Sequence, residues 1–167
     1  MAQTDLACVD STHSVWETLV KRLQAEPHIM GSRISAENLQ RIYDQGLAVM
    51  RLHDGMPVAF IAAWPVADRT VEVGSAWVDP QYRGRGWGTK LVREIAAVLT
   101  RRKLQGFAVS DSPPFIAAAR RVGLHFCDDW RDPMPYALTC GPCEKRRSDE
   151  EKRTCPYRNR DCHLILF

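Results

Sequence analysis

Residues 78–90, VDPQYRGRGWGTK, constrain the fold more than any other stretch of the chain. Gly84, Gly86 and Gly88 alternate with larger residues between an apolar run and a run with helical spacing. Because each glycine costs stability relative to alanine, three in five residues indicate a turn that something approaches closely. The stretch therefore predicts a strand, a glycine-rich turn and a helix in succession.

The chain around this turn is strongly basic. Residues 83–103 contain seven Lys or Arg and one acid, Glu94, whereas the whole chain has a net charge of only +3. This local excess favours an anionic ligand near the glycines. A solvated helix face is an equally good interpretation for residues 101–103.

Composition indicates one globular domain. The 167 residues are 45% hydrophobic and 26% charged, which is typical of an ordinary globular chain. No apolar run is long enough to span a membrane, and the first residues lack the basic and apolar pattern of a secretory signal. We therefore expect a cytoplasmic protein whose six cysteines are reduced.

Apolar periodicity predicts an α+β (mixed α/β) fold with a central sheet. Two helices come first, then a hairpin around Asp54-Gly55 and a third strand. A helix, a strand, a second helix, a strand-like stretch after Gly123 and a C-terminal strand follow the glycines. The predicted helices cover residues 11–26, 34–46, 89–103 and 112–123, and the later strands cover 70–78, 106–110 and 161–167.

Three interpretations of the glycine turn compete. A tight turn alone needs only one glycine. A dinucleotide-binding turn has the spacing G-x-G-x-x-G, whereas this chain has G-x-G-x-G with five further residues before the first glycine. The third interpretation places a pyrophosphate on main-chain N–H groups at the helix start, helped by Arg83, Arg85 and the Thr89 hydroxyl. It alone explains both the glycines and the basic bias.

Residues 78–91, read as VDPxYRGxGxGxxL, resemble motif A of the GNAT acyltransferase superfamily, whose core is [Q/R]-x-x-G-x-[G/A]. The resemblance covers roughly residues 10–130 and the last strand. It implies a single GNAT domain over residues 1–167, with two parallel strands that splay apart in a mixed sheet flanked by about four helices.

The resemblance also implies acetyl-CoA as cosubstrate. Its pyrophosphate would lie on the amides of residues 84–89, and its pantetheine arm would pair like a strand with β-strand residues before the turn. A primary amine, small or peptidic, would attack the thioester directly in a ternary complex. The expected cofactor-binding residues are Ala76, Trp77, Val78, Arg83, Gly84, Arg85, Gly86, Trp87, Gly88, Thr89 and Ser112.

Glu72 is the candidate catalytic base, because several members of the family carry a glutamate six residues before the position of Val78. Strand alternation puts Glu72 on one face with Gly74 and Ala76, which leaves space around the carboxylate. The alternative is an exposed or salt-bridged glutamate with no catalytic role.

The usual acid of the family is absent. Ala119 stands where a tyrosine is common, and Ser112 replaces an asparagine at the start of the same helix. Ser110, Cys127 and Tyr136 are unranked substitutes. Because a thiol has a pKa near 8.5, thiolate could also leave unaided. The remaining alternative is a non-catalytic acyl-CoA-binding sensor.

Four cysteines near the C-terminus form a C-x2-C-x11-C-x6-C array, which predicts a structural Zn²⁺ site. The first three cysteines of the array lie in a predicted insertion, residues 133–161, between the last two strands. Disulfides, unbound thiols and an iron–sulfur cluster are the alternatives, and His163 could replace the last cysteine. The predicted ligands are Cys140, Cys143, Cys155 and Cys162.

The insertion is also rich in charge. Residues 144–161 hold seven Lys or Arg and five acids. A solvated helix over residues 144–153 is the simpler interpretation. The alternative is a nucleic-acid-binding zinc module with a surface formed by Tyr157, Arg158 and Arg160. The sequence leaves open whether the protein is a monomer or a homodimer.

Overall fold

The computed structural model describes residues 11–127, 134–144, 148, 155 and 161–167. This part contains four α-helices and two short 3₁₀ turns. The α-helices are α1, Ser11–Gln24; α2, Ala36–Asp44; α3, Trp87–Arg102; and α4, Pro113–Val122. The 3₁₀ turns are Gly31–Arg33 and Pro80–Tyr82.

The strands form a six-stranded sheet in the described part, with the order β1-β2-β3-β4-β6-β5. Only the β3–β4 pair is parallel, so the predicted mixed α/β architecture is confirmed. The strand-like stretch that the sequence shows after Gly123 forms β5. The strands are β1, Ala48–His53; β2, Met56–Ala67; β3, Thr70–Val78; β4, Gln105–Ser110; β5, His125–Cys127; and β6, His163–Leu166.

Helices cover both faces of the sheet. Residues 57–64 of β2 are all buried, which requires cover on both sides. Helices α1 and α2 pack together and against β2, whereas α3 packs on α4 and contacts β1 to β4. A Cβ built at Gly106 would lie 2.3 Å from Leu99 of α3, so Gly106 faces that helix. By alternation, Phe107 and its register partner Glu72 face the opposite side.

Helix ends follow the capping pattern of the sequence. The Ser35 hydroxyl accepts a hydrogen bond from the Asn38 N–H at 3.2 Å at the start of α2. Helix α4 begins with Pro113 and stops at Gly123, whose φ of 85° is left-handed. No helix within the described ranges is both long and apolar enough to cross a membrane.

Candidate active site

The glycine turn joins β3 to α3 as predicted. Gly84 and Gly86 have φ of 75° and 80°, the left-handed region that glycine occupies without strain. Nothing lies within 4 Å of a Cβ built at either position, so the turn opens outward. A Cβ at Gly88 would make only ordinary contact, 3.9 Å from Ala118. Packing within the protein therefore does not require a glycine at 88.

Helix α3 begins at Trp87 beside this open turn, so the first N–H groups of the helix have no partner inside the helix. Two cations flank the same helix start. The Arg85 guanidinium lies 5.5 Å from the Tyr82 ring centre, and Lys90 Nζ lies 4.7 Å from that of Trp87. Sequence reasoning missed Lys90, although its place in the basic first turn of the helix could have indicated it.

Arg83 is engaged by the protein itself. Its Nε donates to the Val78 carbonyl at 2.9 Å, and its guanidinium forms an ion pair with Glu26. The prediction grouped Arg83 with Arg85 as a phosphate contact. In the structure Arg83 ties the turn to Glu26, two residues after α1, and its contact with a phosphate stays a prediction.

Strands β3 and β4 part after a short pairing. Residues 70–72 pair with 105–107, and the described part has no β3–β4 pair beyond them. Residues 73–78 continue beside β2, while β4 pairs on its other side with β6. One edge of β3 therefore faces a gap where the splayed strands were predicted. Ala76, the buried Trp77 and Val78 lie along this edge.

A bulge interrupts β3 inside the gap. The β2–β3 register shifts at residues 60–62, and Ser75 has a left-handed φ of 53°. The Ser75 hydroxyl accepts a hydrogen bond from Trp64 Nε1 at 3.2 Å. Because Trp64 is the register partner of Glu72, the bulge brings Ser75 to the Glu72 face. The alternation predicted to run from Glu72 to Ala76 is thus interrupted.

Glu72 lies at the last paired position of β3, where the gap begins. It is only 8% exposed, and its Oε2 accepts a hydrogen bond from Arg33 Nη2 at 2.5 Å. The Arg33 guanidinium also lies 6.0 Å from the Trp64 ring centre. Sequence reasoning missed Arg33, because nothing local marks a partner 39 residues from Glu72.

Burial raises the pKa of Glu72 above its ordinary value, since the charged form loses solvation. The positive charge and hydrogen bond of Arg33 act in the opposite direction and only partly offset this rise. Glu72 is therefore a more basic carboxylate than one at the surface. A cleft of about 370 Å³ opens beside Arg33. Its lining residues include Ser32, Arg33, Asn38, Arg41, Trp64 and Pro65.

The α1–α2 segment, residues 25–35, spans the region from the glycine turn to Glu72. Glu26 pairs with Arg83 at the turn. His28 Nδ1 lies 3.2 Å from Asp111 Oδ1, just beyond the end of β4. Together with the Arg33 contact, these links hold the segment across the parted strands.

Helix α4 supplies no acid at the expected place. Ala119 is fully buried, so a tyrosine there would have to displace core atoms. The Ser112 N–H donates to the Ser110 hydroxyl at 3.1 Å, and the Ser112 side chain makes no capping hydrogen bond. Tyr136 packs against the apolar cluster around Phe107.

The structure does not support the zinc prediction. Within the described residues, which include all four cysteines of the array, no group of three or more Cys, His, Asp or Glu is placed to hold a metal ion. Cys140 is buried with Phe107, Met134 and Leu164, and Cys127 and Cys162 pack against the same cluster. Cysteine is among the most buried residue types and packs as a small apolar side chain, which suits all three positions. The four buried residues Phe107, Met134, Cys140 and Leu164 are called the Phe107 cluster below.

Most of the predicted insertion lies outside the described residues. The structure describes 134–144, 148, 155 and 161 of it. The charged helix predicted over 144–153 and the surface predicted around Tyr157, Arg158 and Arg160 fall largely or wholly in the remainder. The alternative of a nucleic-acid-binding module therefore stays a prediction.

The mixed sheet, its parted parallel strands and the glycine turn at the start of α3 define the class of the protein. The chain matches the model of the acetyltransferase (GNAT) family over residues 14–123. It belongs to that family, as its motif indicated. No curated protein sequence is similar enough to match the chain.

Solved structures share the fold at low sequence identity. N-acetylglutamate synthase from Neisseria gonorrhoeae, complexed with coenzyme A and N-acetyl-glutamate, has a TM-score of 0.55 and 18% identity, and the match covers 90% of this chain but only 31% of that one. A Mycobacterium tuberculosis protein in complex with CoA has a TM-score of 0.62 and 17% identity, and the match covers 93% of this chain and 94% of that one. A Salmonella typhimurium protein with its cofactor acetyl-CoA has a TM-score of 0.56 and 17% identity, and the match covers 93% of this chain and 86% of that one.

Proposed function

We propose that this protein is an acetyl-CoA-dependent N-acetyltransferase that acetylates a primary amine by direct attack, with Glu72 as the base. One observation carries the proposal. The buried carboxylate of Glu72 lies on β3 at the point where β3 and β4 part, and the same strand leads into the open glycine turn.

The residues around the gap fit the cosubstrate. The amides of residues 84–89 and the cations Arg85 and Lys90 would hold a pyrophosphate at the start of α3. The free edge of β3 at residues 76–78 would pair with the amide groups of a pantetheine arm. Acetyl-CoA supplies the activated acetyl thioester when it is bound.

Glu72 would take a proton from the acceptor. An alkylammonium with a pKa near 10 cannot attack until it loses a proton. A carboxylate with a raised pKa accepts that proton more readily, and Arg33 keeps it ionised and oriented despite burial. The cleft beside Arg33 is also lined by Trp64, the register partner of Glu72, and would offer an approach for the amine. A main-chain N–H of the bulged strand would stabilise negative charge on the carbonyl oxygen.

The missing tyrosine of α4 favours a second candidate, an acyl-CoA-binding protein without transferase activity. Because the thiolate of CoA is a moderately good leaving group, the absence of an acid does not by itself prevent transfer. The two candidates differ in one measurement, which is release of free thiol in the presence of amines.

The test combines binding with turnover. Acetyl-CoA at about 1 mM should raise the melting temperature, because a ligand of the native state stabilises it. A panel of amino acids, polyamines, aminoglycosides and peptide N-termini should then reveal thiol release. Glu72→Gln should lower kcat by about 100-fold or more and leave acetyl-CoA affinity unchanged.

Glu94→Gln is the matched control, because Glu94 also pairs with an arginine, but it lies on α3 and its partner Arg51 is on the edge strand β1, away from β3. It should retain wild-type turnover. A melting temperature insensitive to acetyl-CoA would exclude both CoA-dependent candidates. Stabilisation without thiol release from any amine would support the non-catalytic candidate, and full turnover by Glu72→Gln would remove Glu72 as the base.

A further inference from the structure

Glu144 reaches from the C-terminal part of the chain to the turn that carries Arg33. Its two carboxylate oxygens accept hydrogen bonds from the Ser32 N–H at 3.1 Å and the Gly31 N–H at 3.3 Å. The hydrogen bonds from Ser32 are the main cause of a lowered pKa of Glu144, with smaller contributions from Gly31 and the charge of Arg33. The carboxylate therefore binds the turn as an anion.

The next residue along the turn holds the proposed base. Arg33 donates to Glu72, and the side chains of the pair are 21% and 10% exposed. Contacts thus run without a break from Glu144 to the 31–33 turn, to Arg33 and to Glu72. In the described part, Arg33 is the charged group paired with Glu72, and its charge also acts on Glu144.

The segment that carries Glu144 is itself fixed beside the base. Residues 134–144 are anchored by Met134 and Cys140, which are buried in the Phe107 cluster. Phe107 is the register partner of Glu72 across the last parallel pair of β3 and β4. The C-terminal segment and the α1–α2 segment therefore meet on the Glu72 face of the sheet.

We propose that Glu144 is a positioning residue for acetyl transfer, which fixes the 31–33 turn so that Arg33 stays paired with Glu72. This inference rests on the proposed function, in which Glu72 is the base. It also gives the Cys-rich segment a role that needs no metal. That role is to complete the acceptor side of the site from the C-terminal part of the chain.

The sign of the effect follows from the contacts. Arg33 lowers the pKa of Glu72 against the effect of burial. When the turn is released, Arg33 spends less time on Glu72, so the pKa of Glu72 rises further. Less of the base is then ionised at neutral pH, and the acidic limb of the kcat/KM profile moves to higher pH.

The experiment compares Glu144→Ala and Glu144→Gln with wild type and with Glu17→Ala, an exposed glutamate on α1 as control. Glu144→Ala should lower kcat about tenfold and shift the acidic limb upward, with acetyl-CoA affinity unchanged. Glu144→Gln keeps one acceptor oxygen and should recover part of the loss. Glu17→Ala should match wild type.

A second readout does not depend on activity. The pKa of Glu72, followed by NMR of its labelled side-chain carboxyl, should rise in Glu144→Ala and stay constant in Glu17→Ala. An unchanged Glu72 pKa and pH profile in both Glu144 variants would overturn the inference. Failure of the proposed function looks different, since Glu72→Gln would then turn over normally while the NMR link between Glu144 and Glu72 could still hold.

Discussion

The glycine turn and the Glu72 site lie on the same strand but are built in opposite ways. The turn uses contiguous residues, and the φ values of Gly84 and Gly86 define its shape. The Glu72 site joins Arg33 and Glu144 to Glu72, and its longest hydrogen-bonded link spans 113 residues. Local backbone geometry makes the first, and tertiary packing makes the second. A mutation in the glycine turn should therefore affect acetyl-CoA binding, and a mutation in the Glu72 site should affect catalysis.

The largest effect expected from the turn is on cofactor affinity. Gly86→Ala and Gly123→Ala both put a side chain at a left-handed φ with nothing within 4 Å of the new Cβ. Each should lose about 1 to 2 kcal/mol of unfolding free energy. Only Gly86→Ala should also weaken acetyl-CoA binding, by about 10- to 100-fold, or about 1.4 to 2.7 kcal/mol. Equal affinities in calorimetric titrations of the two variants would show that the turn does not bind the cosubstrate.

A smaller effect distinguishes apolar packing from metal binding in the segment that supports the Glu72 site. Cys140→Ser would place a hydroxyl in the Phe107 cluster and should cost about 1 kcal/mol or more in chemical denaturation. Cys143→Ser, at a half-buried position, should cost less. A chelator should leave the melting temperature unchanged. Equal losses in both variants together with destabilisation by the chelator would restore the zinc site.

The smallest effect is a difference in pH dependence. The folded-state pKa of Glu72 is raised, so its contribution to stability is present below its unfolded pKa and is lost as the pH rises through the folded value. The pKa of Glu144 is lowered, so its contribution is present above the unfolded pKa and is lost as the pH falls through the folded value.

The unfolding free energies of Glu72→Gln and Glu144→Gln, each relative to wild type, should thus change in different pH windows. The Glu72→Gln difference should change above the ordinary glutamate pKa of about 4.3, and the Glu144→Gln difference below it. The Glu72→Gln difference should become more favourable with rising pH, and the Glu144→Gln difference less favourable. Urea denaturation at several pH values measures both. Parallel slopes would contradict the opposite environments of the two carboxylates.

The sequence predicted the elements that depend on neighbouring residues alone. Hydrophobic periodicity and caps such as Ser35, Pro113 and Gly123 indicated the helices, and the glycine spacing indicated the turn at the start of α3. The bulge at Ser75 escaped prediction because a register shift depends on both strands.

Long-range contacts account for the other differences. Glu72 was marked by its strand position, but its burial and its pairing with Arg33 depend on a loop distant in the chain. The zinc prediction was unsupported for a related reason. C-x2-C spacing brings two thiols near each other only if both face the same point, and Cys140 instead faces an apolar cluster.

The parting of β3 and β4 has a consequence for the rigidity of the whole sheet. Three residue pairs are all that join the β1–β3 half of the sheet to the β4–β6 half by direct strand pairing in the described part. A chain-like ligand lying along residues 76–78 would serve as the missing strand between them. The edge of β3 beyond residue 72 would then be paired only in the complex, and amide hydrogen exchange along that edge would slow when the gap is filled.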